Sequence, residues 1–380
     1  MADGLRCVLQ PIEVARGLPN DCYTENGLFD YERQRVFAGG WSCVGFAMDA
    51  PVAGDLYPLN FAGHPLLMVR DGLGTLRLYH NVCPHRGRIL VEAPETGKKA
   101  VVCPYHRWSY GLEGELIATP HIGGPGKHSC SAFAGGSVHL SKVRCAEWHG
   151  LVFANLSGNA EPFSAFIEPL ERRWRDFPSI PLIHTGKDST ITFSLDCNWK
   201  LAVENYCEAY HLPWIHPELN RFSPLAQHRN IAEEAFAGQQ SELYAPTPSP
   251  GCKAFPEAPG LNGFWKAGAE YVSLFPNVLL GLHRDHFYAV LILPDGPART
   301  TERFEIFYFY DSVRKPDFAA SRVANRELWQ TVFAEDRESV EGMQRGRQSP
   351  GYDGGRFSPV MDAPTHTFHK WIASALLHGR

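Results

Sequence analysis

Residues 83–110 read CPHRGRILVEAPETGKKAVVCPYHRWSY, with Cys83-Pro84-His85 and Cys103-Pro104-Tyr105-His106 at its two ends. The spacing is Cys-x-His, seventeen intervening residues, then Cys-x-x-His. Two thiolates and two imidazoles on paired turns match the donor set of a [2Fe–2S] cluster, cysteines on one iron and histidines on the other. Imidazoles in place of two thiolates remove negative charge and raise the reduction potential. A Cys2His2 zinc site uses the same ligand types and stays open as an alternative. Zinc motifs more often open with Cys-x2–4-Cys, whereas each pair here mixes one Cys with one His.

The flanking sequence is β in character. Leu66–Arg70 and Thr75–Tyr79 surround Asp71-Gly72-Leu73-Gly74, a hairpin signal. Further turns fall at Glu95-Thr96-Gly97, Glu113-Gly114 and Gly123-Gly124-Pro125-Gly126. Ile89–Leu90–Val91 and Ala100–Val101–Val102 are expected as strands between the two ligand loops. Residues 40–155 therefore form one all-β module. After Pro162 the pattern changes. Helices are expected at Ile167–Phe177, Trp199–His211, Asp317–Gln344 and His369–Leu377. Strand-like runs fall at Asp188–Leu195, Glu270–Leu282, Phe287–Leu293 and Arg303–Phe309. Strands grouped with strands and helices with helices point to α+β architecture. Residues 1–39 and 156–380 are assigned to a second domain.

Composition narrows the function. The 380 residues carry a net charge of −5 and 44% hydrophobic residues, which argues against nucleic acid or an anionic membrane as partner. No apolar stretch approaches the ~20 residues of a membrane helix. MADGLRCVLQ lacks a charged region followed by an apolar one, so no secretory signal is expected and a cytoplasmic location fits. Ten cysteines in such a chain indicate thiols and metal ligands in place of a disulfide frame. Apart from Cys83 and Cys103 they are expected to be buried structural residues. No tight Gly-rich phosphate loop follows a strand, which speaks against a nucleotide-binding dehydrogenase.

A second constellation lies at residues 198–216, NWKLAVENYCEAYHLPWIH. On a helix ending near His211, Glu208 falls one turn back on the same face. Pro213 should stop that helix and let His216 swing onto a metal bound by His211. Two histidines and one carboxylate with open positions form the facial triad of Fe(II) oxygenases. Trp329, Val332, Phe333, Val340 and Met343 make an apolar stripe at helical spacing. Asp336 falls on that stripe, while Glu335, Arg337, Glu338 and Glu341 lie mostly off it. A buried acid is costly unless paired or metal-bound, so Asp336 is the expected third ligand.

With both motifs in view, the chain resembles the oxygenase α subunits of Rieske-type non-haem iron oxygenases. His85-Arg86-Gly87 and Tyr105-His106-Arg107-Trp108-Ser109-Tyr110 carry the likeness in the first region, and residues 198–216 in the second. Neither ligand loop has the additional cysteine of respiratory Rieske proteins. Arg107 departs from the family, which often has a small residue there. The resemblance implies a Rieske [2Fe–2S] domain held through Cys83, His85, Cys103 and His106. It also implies a helix-grip (START-like) catalytic domain with an antiparallel sheet, in which His211, His216 and Asp336 bind mononuclear Fe(II). Glu208 takes the place of the bridging acid, linking the iron site to His106 or His85 of a neighbouring subunit in a homotrimer. The family more commonly has Asp there, and Glu resembles the carnitine monooxygenase branch. A separate flavin reductase using NAD(P)H supplies electrons, since this chain has no flavin or nicotinamide fingerprint.

Phe275-Pro276-Asn277, His283-Arg284-Asp285-His286, Gln344-Arg345-Gly346 and Gly355-Arg356-Phe357-Ser358-Pro359 resemble the branch acting on glycine betaine, carnitine and related quaternary ammonium compounds. Such a cation calls for an aromatic cage, with Tyr206, Trp214, Phe222, Trp265, Tyr271 and Phe275 as candidates. Aromatic ring hydroxylation is the rival activity, as a mono- or dioxygenase. An electron-transfer or redox-sensing protein is the non-enzyme alternative.

Overall fold

The computed structural model describes residues 2–133, 135–247 and 250–378. Two compact units emerge, Gly40–Ala160 and Met1–Gly39 with Glu161–Arg380.

In the smaller unit the hydrophobic alternation produces a six-stranded antiparallel sheet among the described residues. Its strands are β1 (Ser42–Phe46), β2 (Leu56–Phe61), β3 (His64–Arg70), β4 (Leu76–His80), β8 (Lys142–Trp148) and β9 (Leu151–Asn155), in the order β1-β9-β8-β4-β3-β2. A smaller sheet joins β5 (Val101–Val102), β6 (Ser109–Tyr110) and β7 (Leu116–Ala118). The Asp71 turn forms as expected. The Asp71 carboxylate accepts from the N–H groups of Leu73 and Thr75 at 2.9 and 2.8 Å, and Gly74 supplies the left-handed φ of +81°. Ile89–Val91 is not a strand. The Asn81 side chain accepts from the Leu90 and Val91 N–H groups and donates to the Val91 carbonyl. A side chain thus occupies backbone groups that a ladder would need.

The larger unit begins with α1 (Ala2–Val8), α2 (Asp21–Thr24) and α3 (Asn26–Glu32). After the smaller unit come α4 (Phe163–Trp174), β10 (Ile183–His184), β11 (Thr190–Leu195) and α5 (Trp199–Cys207). Two short helices follow, α6 (Leu212–Ile215) and α7 (Leu219–Phe222). The remaining strands are β12 (His228–Ala232), β13 (Phe236–Ser241), β14 (Ala269–Leu274), β15 (Val278–Leu282), β16 (His286–Pro294) and β17 (Thr300–Tyr308). Helices α8 (Ala319–Gly346) and α9 (Ala363–His378) close the chain. The strands pair antiparallel in the order β10-β17-β16-β15-β14-β13-β12, with β11 also on β17. The run expected at Glu270–Leu282 is two strands, because the chain reverses at Phe275-Pro276-Asn277, where Pro276 has no N–H to donate.

Helices α5 and α9 lie against β12–β14, and α8 packs on α5 and β11. The N-terminal segment is tied to α5 by a fully buried ion pair, Lys200 Nζ to Glu32 Oε1 at 2.6 Å. The other Glu32 oxygen accepts from the Trp199 indole at 3.0 Å. Removing one member of such a pair strands a buried charge, at a cost of roughly 3–5 kcal/mol. The helix that leads to the second motif is therefore held from both ends of the chain. No helix among the described residues is long and apolar enough to cross a membrane. Among the eight cysteines expected to be buried, Cys22, Cys43, Cys197 and Cys207 are; Cys130, Cys145 and Cys252 are half-buried, and Cys7 is exposed.

Candidate functional site

The two loops of the smaller unit are near copies of each other. The Cys83 N–H donates to the Arg88 carbonyl at 2.8 Å, and the Gly87 N–H to the Cys83 carbonyl at 2.9 Å. The Cys103 N–H donates to the Trp108 carbonyl at 2.8 Å, and the Arg107 N–H to the Cys103 carbonyl at 3.1 Å. The fourth residue after each loop's first turns left-handed, Gly87 at φ +73° and Arg107 at φ +59°. Arg107 thus stands where a residue without Cβ would be unstrained, the physical sense of the small residue expected there.

The loops bring four side chains together. Cys83 and Cys103 are buried, and the His85 and His106 rings lie 4.8 Å apart. His85 stacks on Trp108 at 4.3 Å, and the Cys83 sulfur meets the Tyr110 hydroxyl at 3.2 Å. Burial, with His106 and Arg86 nearby, lowers the pKa of His85, which keeps its ring neutral and its lone pair available. Burial raises the Cys83 thiol, with the Tyr110 hydrogen bond opposing it. Nδ1 of His85 and Nδ1 of His106 are both buried without a hydrogen-bond partner. Two unpartnered imidazole nitrogens beside two buried thiols fit a group bonded through nitrogen and sulfur.

In the larger unit Asn198 caps α5 by accepting from the Lys200 N–H at 3.1 Å. The helix stops at Cys207, short of the expected His211, and Glu208 is extended. The cause is local. Oε2 of Glu208 accepts from the N–H groups of Tyr210 and His211, a turn that competes with continued helix. Pro213 does not terminate this helix; it sits in the first turn of α6, where a missing N–H costs little. His211 and His216 flank α6.

These two histidines meet Asp336 of α8. One ligand atom from each lies within 4.8 Å of the other two. Nε2 of His216 is 2.9 Å and Nε2 of His211 is 3.8 Å from Oδ1 of Asp336. At these distances Oδ1 is still buried without a well-aligned hydrogen bond, so the atoms point toward a shared centre and not at one another. Behind the ligand atoms, Nδ1 of His211 meets Oε1 of Glu208 at 2.6 Å, and Nδ1 of His216 meets Oε2 of Glu335 at 2.8 Å. Each carboxylate fixes the proton on Nδ1 and leaves Nε2 as the donor, the arrangement of histidine metal ligands. Burial of His216 opposes its charging, but Asp336 and Glu335 outweigh it and the pKa rises. Acids that favour a proton there also favour a dication. The donor set fits mononuclear iron.

Glu335 was missed in the sequence because it lies mostly off the apolar stripe. Its one signal was adjacency to Asp336. Met343, expected on the stripe, is 37% exposed. Glu302, behind the site on β17, is pushed up to about 8 by burial, with Asp336 adding to the effect.

A cavity of about 50 Å³ adjoins the triad, and Tyr206, Tyr271, Tyr288, Trp329 and Phe333 supply its aromatic wall. Their polar atoms are largely engaged by protein. Tyr206 donates to the Leu280 carbonyl at 2.8 Å, so the Tyr288 hydroxyl at 3.1 Å donates to Tyr206. The Trp329 indole donates to Nε2 of His286 at 3.0 Å, and His286 is braced by Asp285. Of the expected cage, only Tyr206 and Tyr271 line this cavity. Trp214 is 70% exposed, and Phe222, Trp265 and Phe275 pack on Tyr244, Phe177 and Phe368.

Residues 182–378 match the model of the ring hydroxylating alpha subunit (catalytic domain), and residues 40–134 that of the Rieske [2Fe-2S] domain. The chain is 29% identical over 372 residues to a chloroplastic choline monooxygenase of Arabidopsis thaliana, covering 94% of this chain and 82% of that protein. It is 27% identical to the carnitine monooxygenase oxygenase subunit of Escherichia coli strain K12, covering 89% and 86%. The fold matches the quaternary ammonium Rieske monooxygenase CntA in complex with L-carnitine, with TM-score 0.77, 21% identity and 99% and 98% coverage. Naphthalene 1,2-dioxygenase from Rhodococcus sp. shares it too, with TM-score 0.77, 18% identity and the same coverage. The chain belongs to the ring-hydroxylating alpha-subunit family, as the oxygenase subunit of a Rieske system built for a [2Fe–2S] cluster and a mononuclear iron.

Proposed function

We propose that this chain hydroxylates a carbon on the nitrogen of a small quaternary ammonium compound, with N-demethylation or C–N cleavage following. The observation that carries this is the aromatic wall whose Tyr206, Tyr288 and Trp329 polar atoms are bonded to protein beside the His211–His216–Asp336 triad. Ring faces of this kind attract a cation without competing for a hydrogen bond. The choline and carnitine monooxygenases among its relatives support the same substrate class.

In this reading His211, His216 and Asp336 hold the iron, and Cys83, His85, Cys103 and His106 hold the cluster. Iron held there would supply activation of O2 for C–H hydroxylation, and the cluster would supply electrons. Overall, one O2, two electrons and two protons yield the hydroxylated carbon and one water. Tyr206, Tyr288, Trp329 and Phe333 orient the cation and exclude water, and Glu208 and Glu335 keep the imidazole protons on Nδ1. Glu208 also serves as the bridging acid toward a cluster histidine of a neighbouring subunit in a homotrimer. Exposed Tyr210 and Trp214, close to Glu208 in sequence, support a docking face there. A flavin reductase in the cytoplasm delivers electrons from NAD(P)H.

The test is a panel of trimethylammonium compounds and aromatic acids with a compatible reductase, following NADH and O2 consumption and aldehyde release. Turnover with the trimethylammonium set is expected. Coupled oxidation confined to aromatic acids would replace this reading with ring hydroxylation.

A further inference from the structure

One wall of the cavity is polar, and its hydrogen bonds lead back to Glu208. His228 on β12 and Gln239 on β13 both line the cavity. Nε2 of Gln239 donates to the Glu208 carbonyl at 3.1 Å, and Oε1 of Gln239 accepts from Nδ1 of His228. The carbonyl can only accept, which dictates the amide orientation and turns Oε1 toward His228. Nε2 of His228 lies 3.0 Å from the Ser223 hydroxyl, which itself donates to Ser241, and 3.2 Å from the Ser223 carbonyl, so both ring nitrogens face protein. The strand beneath is also constrained. A Cβ at Gly238 would come within 2.0 Å of the Tyr271 carbonyl oxygen, so no larger residue fits beside Gln239 on β13 where it pairs with β14.

Glu208 is where this matters. It follows the last residue of α5 in extended conformation, outside the helical ladder, while its side chain holds Nδ1 of His211. Its main chain is thus bonded from the cavity and its carboxylate braces a metal ligand. We propose that Gln239 is a positioning residue that holds Glu208, and through it His211, from the substrate side, so that cavity occupancy is felt at the mononuclear centre. The link to substrate rests on the function proposed above; the hold on Glu208 does not.

The test compares wild type, Gln239→Leu and Gln239→Glu as iron-loaded full chains. Iron per chain and the paramagnetic resonance spectrum of the Fe(II) nitrosyl adduct are recorded with and without choline, glycine betaine and carnitine. Leu removes both hydrogen bonds; Glu keeps the bond to His228 and places a carboxylate against the Glu208 carbonyl. Each variant is expected to retain iron yet show a shifted nitrosyl signal without any substrate, and to lose most of the wild-type response to the compound that binds. With that compound as substrate, kcat is expected to fall on the order of tenfold, the scale of the one bond that both variants lose, to the Glu208 carbonyl. If Leu prevents folding, the Glu variant decides by the same spectra. Nitrosyl signals identical to wild type would overturn the proposal. A wild-type signal indifferent to all three compounds, together with shifted substrate-free variants, would remove the substrate reading and leave the positioning role in place.

Discussion

The paired loops at residues 83–88 and 103–108 and the triad of the larger unit are both donor sets that fit a metal group, built in opposite ways. Each loop is closed by its own backbone, Cys83 to Arg88 and Cys103 to Trp108. The triad is closed locally only across α6, between His211 and His216, while Asp336 comes from α8. His216 and the carboxylate behind it are 119 positions apart, and His211 depends on a side chain three residues away. Local hydrogen bonds hold the first site in shape; side-chain carboxylates hold the second. The first should therefore tolerate point changes that the second does not.

The largest expected effect is at Asp336. Asp336→Ala should lose the mononuclear iron while the visible spectrum of the cluster survives, and full iron retention would disqualify Asp336 as ligand. Glu208→Ala comes next. Both metals should remain at saturating Fe(II), with turnover nearly abolished; normal coupled turnover would remove Glu208 from the mechanism. Glu335→Ala should weaken Fe(II) binding by about 10–100-fold, the usual scale for a residue bracing a ligand, with the cluster unchanged. Competitive chelation measures it, and wild-type affinity would show that His216 needs no brace.

Smaller effects probe the loops. Arg107→Gly should stabilise the smaller unit by about 1 kcal/mol, by relieving left-handed strain. Gly87→Ala should destabilise it by a similar amount, about 1 kcal/mol. Denaturant midpoints of the holoprotein would reveal both, and equal signs for the two changes would contradict the twin-loop geometry. The smallest effect is a pH slope at Glu302. Its folded pKa of about 8 lies above the ordinary carboxyl value, so the fold prefers the neutral acid. That contribution is complete below the unfolded pKa and fades as pH rises through about 8. Glu302→Gln should flatten this part of the stability profile in thermal melts across pH 5 to 9.

Much of this molecule was legible in one dimension. The cluster loops announce themselves because their ligands, turns and flanking strands are contiguous. Strand and helix placement followed from alternation and stripe, with errors where side chains took over backbone hydrogen bonds, at Asn81 and at Glu208. Four of the six aromatics available for a cage, Trp214, Phe222, Trp265 and Phe275, lie away from the cavity, because residue type does not say which way the backbone turns a ring.

Sequence alone pointed to the candidate ligand types, the paired loops and the half-buried acid on α8, because spacing and periodicity are properties of neighbouring residues. Only the tertiary structure decided that Glu335 braces His216, that Tyr288 and Trp329 wall the cavity, and that Gln239 reaches Glu208. Those contacts join residues far apart in the chain. They depend on how β13 and α8 come to rest around α5, and no local pattern of residues encodes that.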